Sequence, residues 1–420
     1  RPTRFMESSC LQCHVNPVEF EVDSEFNDAA PVLAKGYRIV RDYGCTGCHP
    51  IDRIDESPFL AGSRKAGPDL RNVGMKFDNT TLQEWTRDPA RFHANTKMPK
   101  LFGLHEHLGE ESKAMAWRLD QAELYSMAAY LIEATGEIEF PNEEGAEYDL
   151  NRGPEQIARG RRLYIETGCI ACHTLEDIPG SSSTFGPDLS NIGALLDQPT
   201  GRNWIPSWLR EPVKYGSMSR MAVVRLVSDE EFFESDVWGG EGEPIEDLSA
   251  YLLSLNTEEE VDLGPIHVGD FGLPVPGTLE ELAEFYNVPI AENDIGRVAL
   301  ERRGCVGCHD IPGFEETPLH RIGPALSGWA EKRESLLAFE AIDRYQPTTP
   351  ESIEDVEYFQ DALLEGRREG FLWQKLREPR SFDFEVADKK SYSAWLMMGR
   401  FELTEEQRHS AMTFILGLTT

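Results

Sequence analysis

The sequence predicts an all-α chain of tandem small helical domains joined by long loops. Three recurring observations predict it. Before residues 45, 169 and 305 lies the same short segment: 36–44 (GYRIVRDYG), 160–168 (GRRLYIETG) and 296–304 (GRVALERRG), each with apolar positions at helical spacing and a closing glycine suited to a backbone turn. After each comes a Gly-Pro-x-Leu element, at 67–70, 186–189 and 323–326. An aromatic-rich helix start then runs to a proline turn at Pro89, Pro212 or Pro379, a methionine follows, and the unit closes on an apolar helix at 124–131, 248–255 or 411–418.

The 420 residues exceed one compact core. Linkers at 136–151 and 257–276, acidic or rich in Gly and Pro, separate the repeats. The expected domains are an N-terminal arm at 1–30, helical domains at 31–150 and 151–263, and a third at 264–420 that carries an acidic insert. That insert, 332–370, places Ile353, Val356, Phe359 and Leu363 at helical spacing, which predicts an added amphipathic helix. A second insert, 237–244, reads as a Gly/Glu-rich surface loop.

Charge and hydropathy exclude some classes. The net charge of −33, from 74 acidic and 41 basic residues, sets nucleic acid aside as a partner. The acidity reads as solvated surface, with steering of a basic partner as the sharper alternative. Apolar-rich stretches such as 221–226 and 250–255 fall far short of the ~20 residues of a membrane span. The chain opens at Arg1 without methionine, so the expectation is that an export segment or anchor has been cleaved or left out.

All eight cysteines fall in pairs two residues apart, each pair followed by histidine: Cys10–Cys13–His14, Cys45–Cys48–His49, Cys169–Cys172–His173 and Cys305–Cys308–His309. This is the spacing of c-type haem attachment. On one helical turn residues i and i+3 share a face, so both thiols reach the two vinyl groups of one porphyrin, and the next residue brings imidazole to iron from the same side. A zinc site joins two such pairs, but three of these lie in repeats more than 120 residues apart. Disulfides within a pair close tiny loops and stabilise little. Neither alternative uses the histidines. Four covalently bound haem c groups are therefore expected.

The order of motif, Gly-Pro-x-Leu loop, methionine and closing helix resembles the class I cytochrome c fold, repeated three times over residues 31–420. The resemblance implies histidine and methionine as the two axial iron ligands. It also implies that the carbonyls of Pro68, Pro187 and Pro324 accept the second N–H of the iron-bound histidines. Met98, in Lys-Met-Pro-Lys-Leu nine residues after Pro89, matches the family's methionine pattern. Met221 repeats that interval after Pro212 and is preferred over Met218; Met398, in Met-Gly-Arg-Phe, is preferred over Met397. Both depart from the family where proline should follow methionine.

The first motif lies on an arm too short to be such a domain, and residues 15–44 hold no histidine or methionine. His105 and His107 are the in-chain candidates for its sixth ligand, and a histidine from another subunit is equally open. The leading functional expectation is a tetrahaem electron-transfer protein of an extracytoplasmic respiratory chain, periplasmic or extracellular. It would be a subunit of, or carrier for, a quinol-oxidising complex, with redox proteins or neighbouring cytochrome subunits as partners and a membrane complex as a further associate. The alternatives are a protomer of an extracellular cytochrome filament, and a haem enzyme with the arm haem as its open site.

Overall fold

The computed structural model describes residues 3–14, 17–20, 29–51, 54, 65–135, 148, 150–176, 178–181, 183, 185–215, 219, 221, 243–256, 272–315, 321–340, 342 and 356–419. Among them the chain is mostly helical and contains no strand; one isolated bridge pairs Lys100 with Arg400. The all-α expectation therefore holds.

Six helices frame the molecule: α1 (Pro31–Asp42), α2 (Glu110–Thr135), α3 (Pro154–Glu166), α4 (Pro244–Ser254), α5 (Glu292–Arg302) and α6 (Glu405–Ile415). Their local causes are legible. Proline occupies the first turn of α1, α3 and α4, where its missing N–H costs nothing. α6 starts on a capping box, with the Thr404 hydroxyl accepting from the Gln407 N–H and the Gln407 side chain accepting from the Thr404 N–H. α1 buries Leu33, Ala34, Tyr37 and Val40, one face of a 3.6-residue period. α2 is far longer than the closing helix expected at 124–131, because Glu110 and Glu111 open it more than three turns earlier with negative charge at its positive end.

The six helices pack as three crossed pairs: α1 with α6, α3 with α4, and α5 with α2. Each crossing point is a glycine. A Cβ on Gly36 would run into the Ser410 carbonyl, one on Gly160 into that of Asp247, and one on Gly296 into that of Ser126. These are the opening glycines of the three repeated segments, so each repeat keeps one close approach between its first and last helix.

The pairing corrects the expected domains at 31–150 and 264–420. The middle repeat closes on itself through α3 and α4. The other two exchange halves: α1 and the turn at Cys45 take their loop and closing helix from the third repeat, while α5 and the turn at Cys305 take theirs from the first. The physical reason is that both repeats carry the same crossing glycine and the same Gly-Pro-x-Leu loop, so either closing half fits either opening half. We call α1/α6 the first unit, α3/α4 the middle unit and α5/α2 the third unit.

Two of the units meet around a local pseudo-twofold. Lys100 and Arg400 exchange backbone N–H···O bonds of 2.8 Å each way, joining the two methionine-bearing loops. At the other end of the junction Gly47 packs against Gly307 so closely that neither tolerates a Cβ. The first unit has its own core, which includes Phe5, Leu11, Leu33, Tyr37, Phe359, Trp373 and Phe414. The third and middle units share another, which includes Leu82, Phe102, Leu131, Tyr164, Trp204, Leu248 and Val306.

The arm belongs to the first unit. Phe5 and Leu11 are fully buried, and Phe5 meets Phe359 and His409 at ring-centroid distances of 6.4 and 5.0 Å. The Arg4 guanidinium stands 4.0 Å over the Tyr358 ring. The added helix of the third-repeat insert runs over Val356–Leu364; Phe359 on it stacks on Trp373 and helps cover the arm. Ile353 of that insert, the loop at 237–242 and nearly all of both linkers lie outside the described residues.

Candidate functional site

The four motifs adopt one local form. In each, the histidine N–H donates to the carbonyl of the first cysteine at 2.9 Å: His14 to Cys10, His49 to Cys45, His173 to Cys169 and His309 to Cys305. One helical turn therefore carries both thiols and delivers the imidazole at its end. Gly44, Gly168 and Gly304 precede three of these turns at φ of 73, 83 and 76°, the left-handed region where a side chain is strained. The closing glycine of each repeat is thus the predicted turn.

Three histidines are oriented in the same way. The ring Nδ1 of His173 donates to the carbonyl of Pro187 at 2.9 Å, within the middle unit. His49 donates to Pro324 at 2.8 Å and His309 to Pro68 at 2.8 Å, across the exchange. The three prolines named from the resemblance do meet the three histidines, but Pro68 and Pro324 serve each other's repeat. A proton fixed on Nδ1 leaves the Nε2 lone pair free for a metal.

The loop is held to the turn by matching backbone bonds. The N–H groups of Gly186, Gly323 and Gly67 donate to the carbonyls of Cys172, Cys48 and Cys308, at 2.7, 2.8 and 2.8 Å. A Cβ on any of these glycines would strike the imidazole ring of the histidine it faces. Glycine is therefore required because the ring lies flat on the backbone. The sequence displayed this glycine in the repeat without revealing its reason.

Burial of the rings and thiols is graded. His309 is 9 % exposed, and burial lowers its pKa and those of His49 and His173 from the ordinary imidazole value. Burial, aided by the neighbouring thiols, pushes Cys45, Cys305 and Cys308 up to about 12. Cys13 and Cys172 are exposed. The exchange brings the pairs Cys45–Cys48 and Cys305–Cys308 near one another, which removes sequence separation as an argument against zinc. Even so, among the described residues no three His, Cys, Asp or Glu side chains converge as a metal cluster. All eight cysteines are free of disulfides.

The methionines separate by surroundings. The Met221 sulfur accepts a hydrogen bond from Trp208 Nε1 at 3.0 Å and packs on the core shared with Cys169. Met398 packs on the first unit's core, as Cys45 does, whereas the Met397 sulfur faces Arg302 at 3.7 Å. Met98 is half-buried on the loop that leads into Leu101 and Phe102 of the third unit's core. The exchange thus leaves Met398 on the core that Cys45 packs against, and Leu101 and Phe102, which follow Met98, on the core that holds Cys305. Met218 lies outside the described residues.

The arm differs from the other three sites. His14 Nδ1 meets Glu19 Oε2 at 2.6 Å, a carboxylate where the others have a proline carbonyl, and the His14 side chain is 47 % exposed. His105 and His107 are not brought to it. His105 Nε2 is bonded to Asp120 at 2.8 Å, and His107 is buried beside a separate cluster formed by Leu108, Ala387 and Trp395. Neither ring nitrogen of His107 has a hydrogen-bond partner among the described residues, and burial pushes its pKa down to about 3. The histidine that does touch the arm is His409 on α6, whose Nε2 donates to the Arg4 carbonyl at 3.0 Å.

Sequence reasoning also missed Arg380. Its buried guanidinium donates to the carbonyls of Leu101 at 2.7 Å, Leu104 at 3.4 Å and Met398 at 3.4 Å, tying together both methionine loops. Nothing in the repeat marked it, because the residues that follow Pro89 and Pro212 are Ala90 and Val213. Comparison of the chain with family models, with curated proteins and with solved structures gives no match.

Proposed function

We propose that this chain is a tetrahaem c-type cytochrome that relays single electrons between redox partners outside the cytoplasm. The observation that carries the reading is threefold repetition of one constellation: a CxxCH turn whose histidine gives its Nδ1 proton to a Gly-Pro-x-Leu carbonyl. That hydrogen bond fixes the ring's tautomer and aim, which an iron ligand needs and a solvated histidine does not. Cys10, Cys13, Cys45, Cys48, Cys169, Cys172, Cys305 and Cys308 would hold the porphyrins by thioether bonds. His14, His49, His173 and His309 would ligate iron on one side, and Met98, Met221 and Met398 on the other at three sites. Haem so ligated supplies one-electron chemistry at comparatively high potential. The protein's part is to fix the ligands, exclude water around buried rings such as His309, and keep each site unchanged between oxidation states.

In this reading the tandem helical units are class I cytochrome c-like, and the compartment is periplasmic or extracellular. The partners are redox proteins or neighbouring cytochrome subunits, a quinol-oxidising membrane complex among them. The half-exposed His14 favours a second reading, a filament protomer whose arm site is completed by an adjacent copy. The deciding experiment is a pyridine haemochrome assay with acid-acetone extraction. Four haems per chain that resist extraction support the proposal; extractable haem or none sinks it.

A further inference from the structure

We infer that the four CxxCH sites are strung in space in the order Cys10, Cys45, Cys305, Cys169, and that the sites at Cys45 and Cys305 form one closely coupled pair. The inference rests on the haem reading above and deepens it. It reverses the last two sites relative to the sequence.

Three junctions set the order. The arm carrying Cys10 lies on the first unit: the Glu7 carboxylate accepts the Leu33 N–H of α1 at 2.8 Å, and Ser8 and Leu11 abut Gly417 just past α6. Cys10 and Cys45 pack on the same core. The first and third units then meet through the turns themselves. The Cys308 thiol lies 3.5 Å from the Gly44 carbonyl, a Cβ on Gly304 would stand 2.9 Å from the Cys48 sulfur, and Gly47 abuts Gly307. Finally the third unit carries the middle one. Gln198 donates to the Lys76 carbonyl at 2.7 Å, Asn72 to the Tyr215 carbonyl at 3.3 Å, and Cys169 packs on the core that contains Cys305.

Exposure follows the same order. The two ends of the string hold the exposed thiols, Cys13 and Cys172, while the inner pair holds the buried Cys305 and His309. A redox partner therefore has direct access at the arm and at the middle unit, and the first and third units form the interior. With haem held at these sites, each transfer along the string would oxidise one ferrous site and reduce its ferric neighbour. An external one-electron donor acts at one end and an external one-electron acceptor at the other, with no proton or leaving group required.

Adjacency can be read without relying on the haems. Zero-length carbodiimide coupling of the full holo chain should join Lys65 to Asp310, which lie 3.3 Å apart, and Lys35 to Glu406, 2.6 Å apart, within monomers. Peptide mass spectrometry reads the products. Coupling of Lys35 to α2, or these links only between two chains, overturns the order. Electron paramagnetic resonance reads the pair. Met398→His and Met221→His give the sites at His49 and His173 ligand signatures of their own. During stepwise reduction the His49 signal should respond to the state of the His309 site and be indifferent to that of His173. The opposite dependence overturns the order. Haem content, measured first, keeps the two claims apart: lost haem with retained cross-links counts against the proposed function, and four haems with other cross-links count against the order alone.

Discussion

The imidazole of His309 gives its Nδ1 proton to the carbonyl of Pro68, 2.8 Å away in space and 241 residues away along the chain. The middle repeat makes the same bond over 14 residues, between His173 and Pro187. One local geometry is thus assembled from near or distant chain, which shows that the constellation and not the connectivity is what the repeat preserves. Consequences follow for cofactor content, ligation, stability and pH response.

Cofactor stoichiometry comes first. On the proposed reading, four thioether-bound haems would take up all eight thiols and leave none to titrate. Elemental analysis of purified protein should give four iron atoms and no zinc per chain, and a denatured sample should show no free thiol. Zinc with four titratable cysteines would instead assign the neighbouring pairs at Cys45 and Cys305 to a metal knot.

Axial ligation separates adjacent methionines. Met398→Ala should remove about a third of the weak far-red sulfur-to-iron absorption and lower one potential, since a soft ligand favouring ferrous iron is lost. Met397→Ala should leave that band intact, because its sulfur faces Arg302. Trp208→Phe should shift the middle site's potential, because the Met221 sulfur loses the N–H it accepts from.

Arg380 binds both methionine loops, so its loss should register at two sites together. Arg380→Gln removes the guanidinium donor from the carbonyls of Leu104 and Met398, while that of Leu101 keeps Arg303 at 3.1 Å, at a cost of about 1–3 kcal/mol by thermal or denaturant unfolding. The potentials assigned to Met98 and Met398 should move in parallel, while that of Met221 stays put. Independent movement would show that the guanidinium supports one loop alone.

Crossing glycines give a stability series. Gly36→Val, Gly160→Val and Gly296→Val each drive a side chain into the facing helix carbonyl, and each should destabilise by about 1–3 kcal/mol or more in unfolding experiments. Equal costs at all three positions would show that exchanged and self-closed units are packed alike.

Acid should weaken the junction between the first and third units through His107. Burial holds its pKa down from 6.5 to about 3, so the folded state keeps the ring neutral where the unfolded chain would protonate it. Between those values the unfolded state binds more protons. Stability from this group is therefore fully present above pH 6.5 and is lost as pH falls toward 3. Burial alone would push the Asp120 carboxyl up, but Arg303 and His105 hold it well below the ordinary carboxylate range. That pair adds stability above the ordinary carboxylate value that fades only in stronger acid. Stability curves of His107→Leu should be flatter than wild type between pH 6.5 and 3; an unchanged slope would remove His107 from the account.

Much of this was legible in the sequence, and the boundary has a physical cause. The CxxCH turns, the left-handed Gly44, Gly168 and Gly304, and the closing helices are local, so spacing and residue type announce them. The preference for Met221 rests on its interval after Pro212, and that for Met398 on the likeness of Met-Gly-Arg-Phe to the family's methionine pattern. The exchange was invisible, because residues 67–70 and 323–326 carry the same Gly-Pro-x-Leu pattern and periodicity does not say which histidine each will face. Glu19 was missed for another reason: it lies five residues past His14 on an arm with no counterpart in the repeats, so no comparison within the chain could single it out. His105 and His107 were placed near the arm by domain order, which the exchange rewrites; the structure seats His105 against Asp120 and buries His107.

The pairing of α1 with α6 also sets a timetable for synthesis. A ribosome that has released Cys45 and His49 must still make everything up to Ile415 before their unit can close, whereas the middle unit can close once α4 emerges. The turns at Cys10 and Cys45, both seated on the first unit's core, thus stay uncovered for the longest stretch of translation, open to misplaced partners. A chain halted anywhere between Ser254 and Glu405 would leave the middle unit folded and the first unit permanently incomplete.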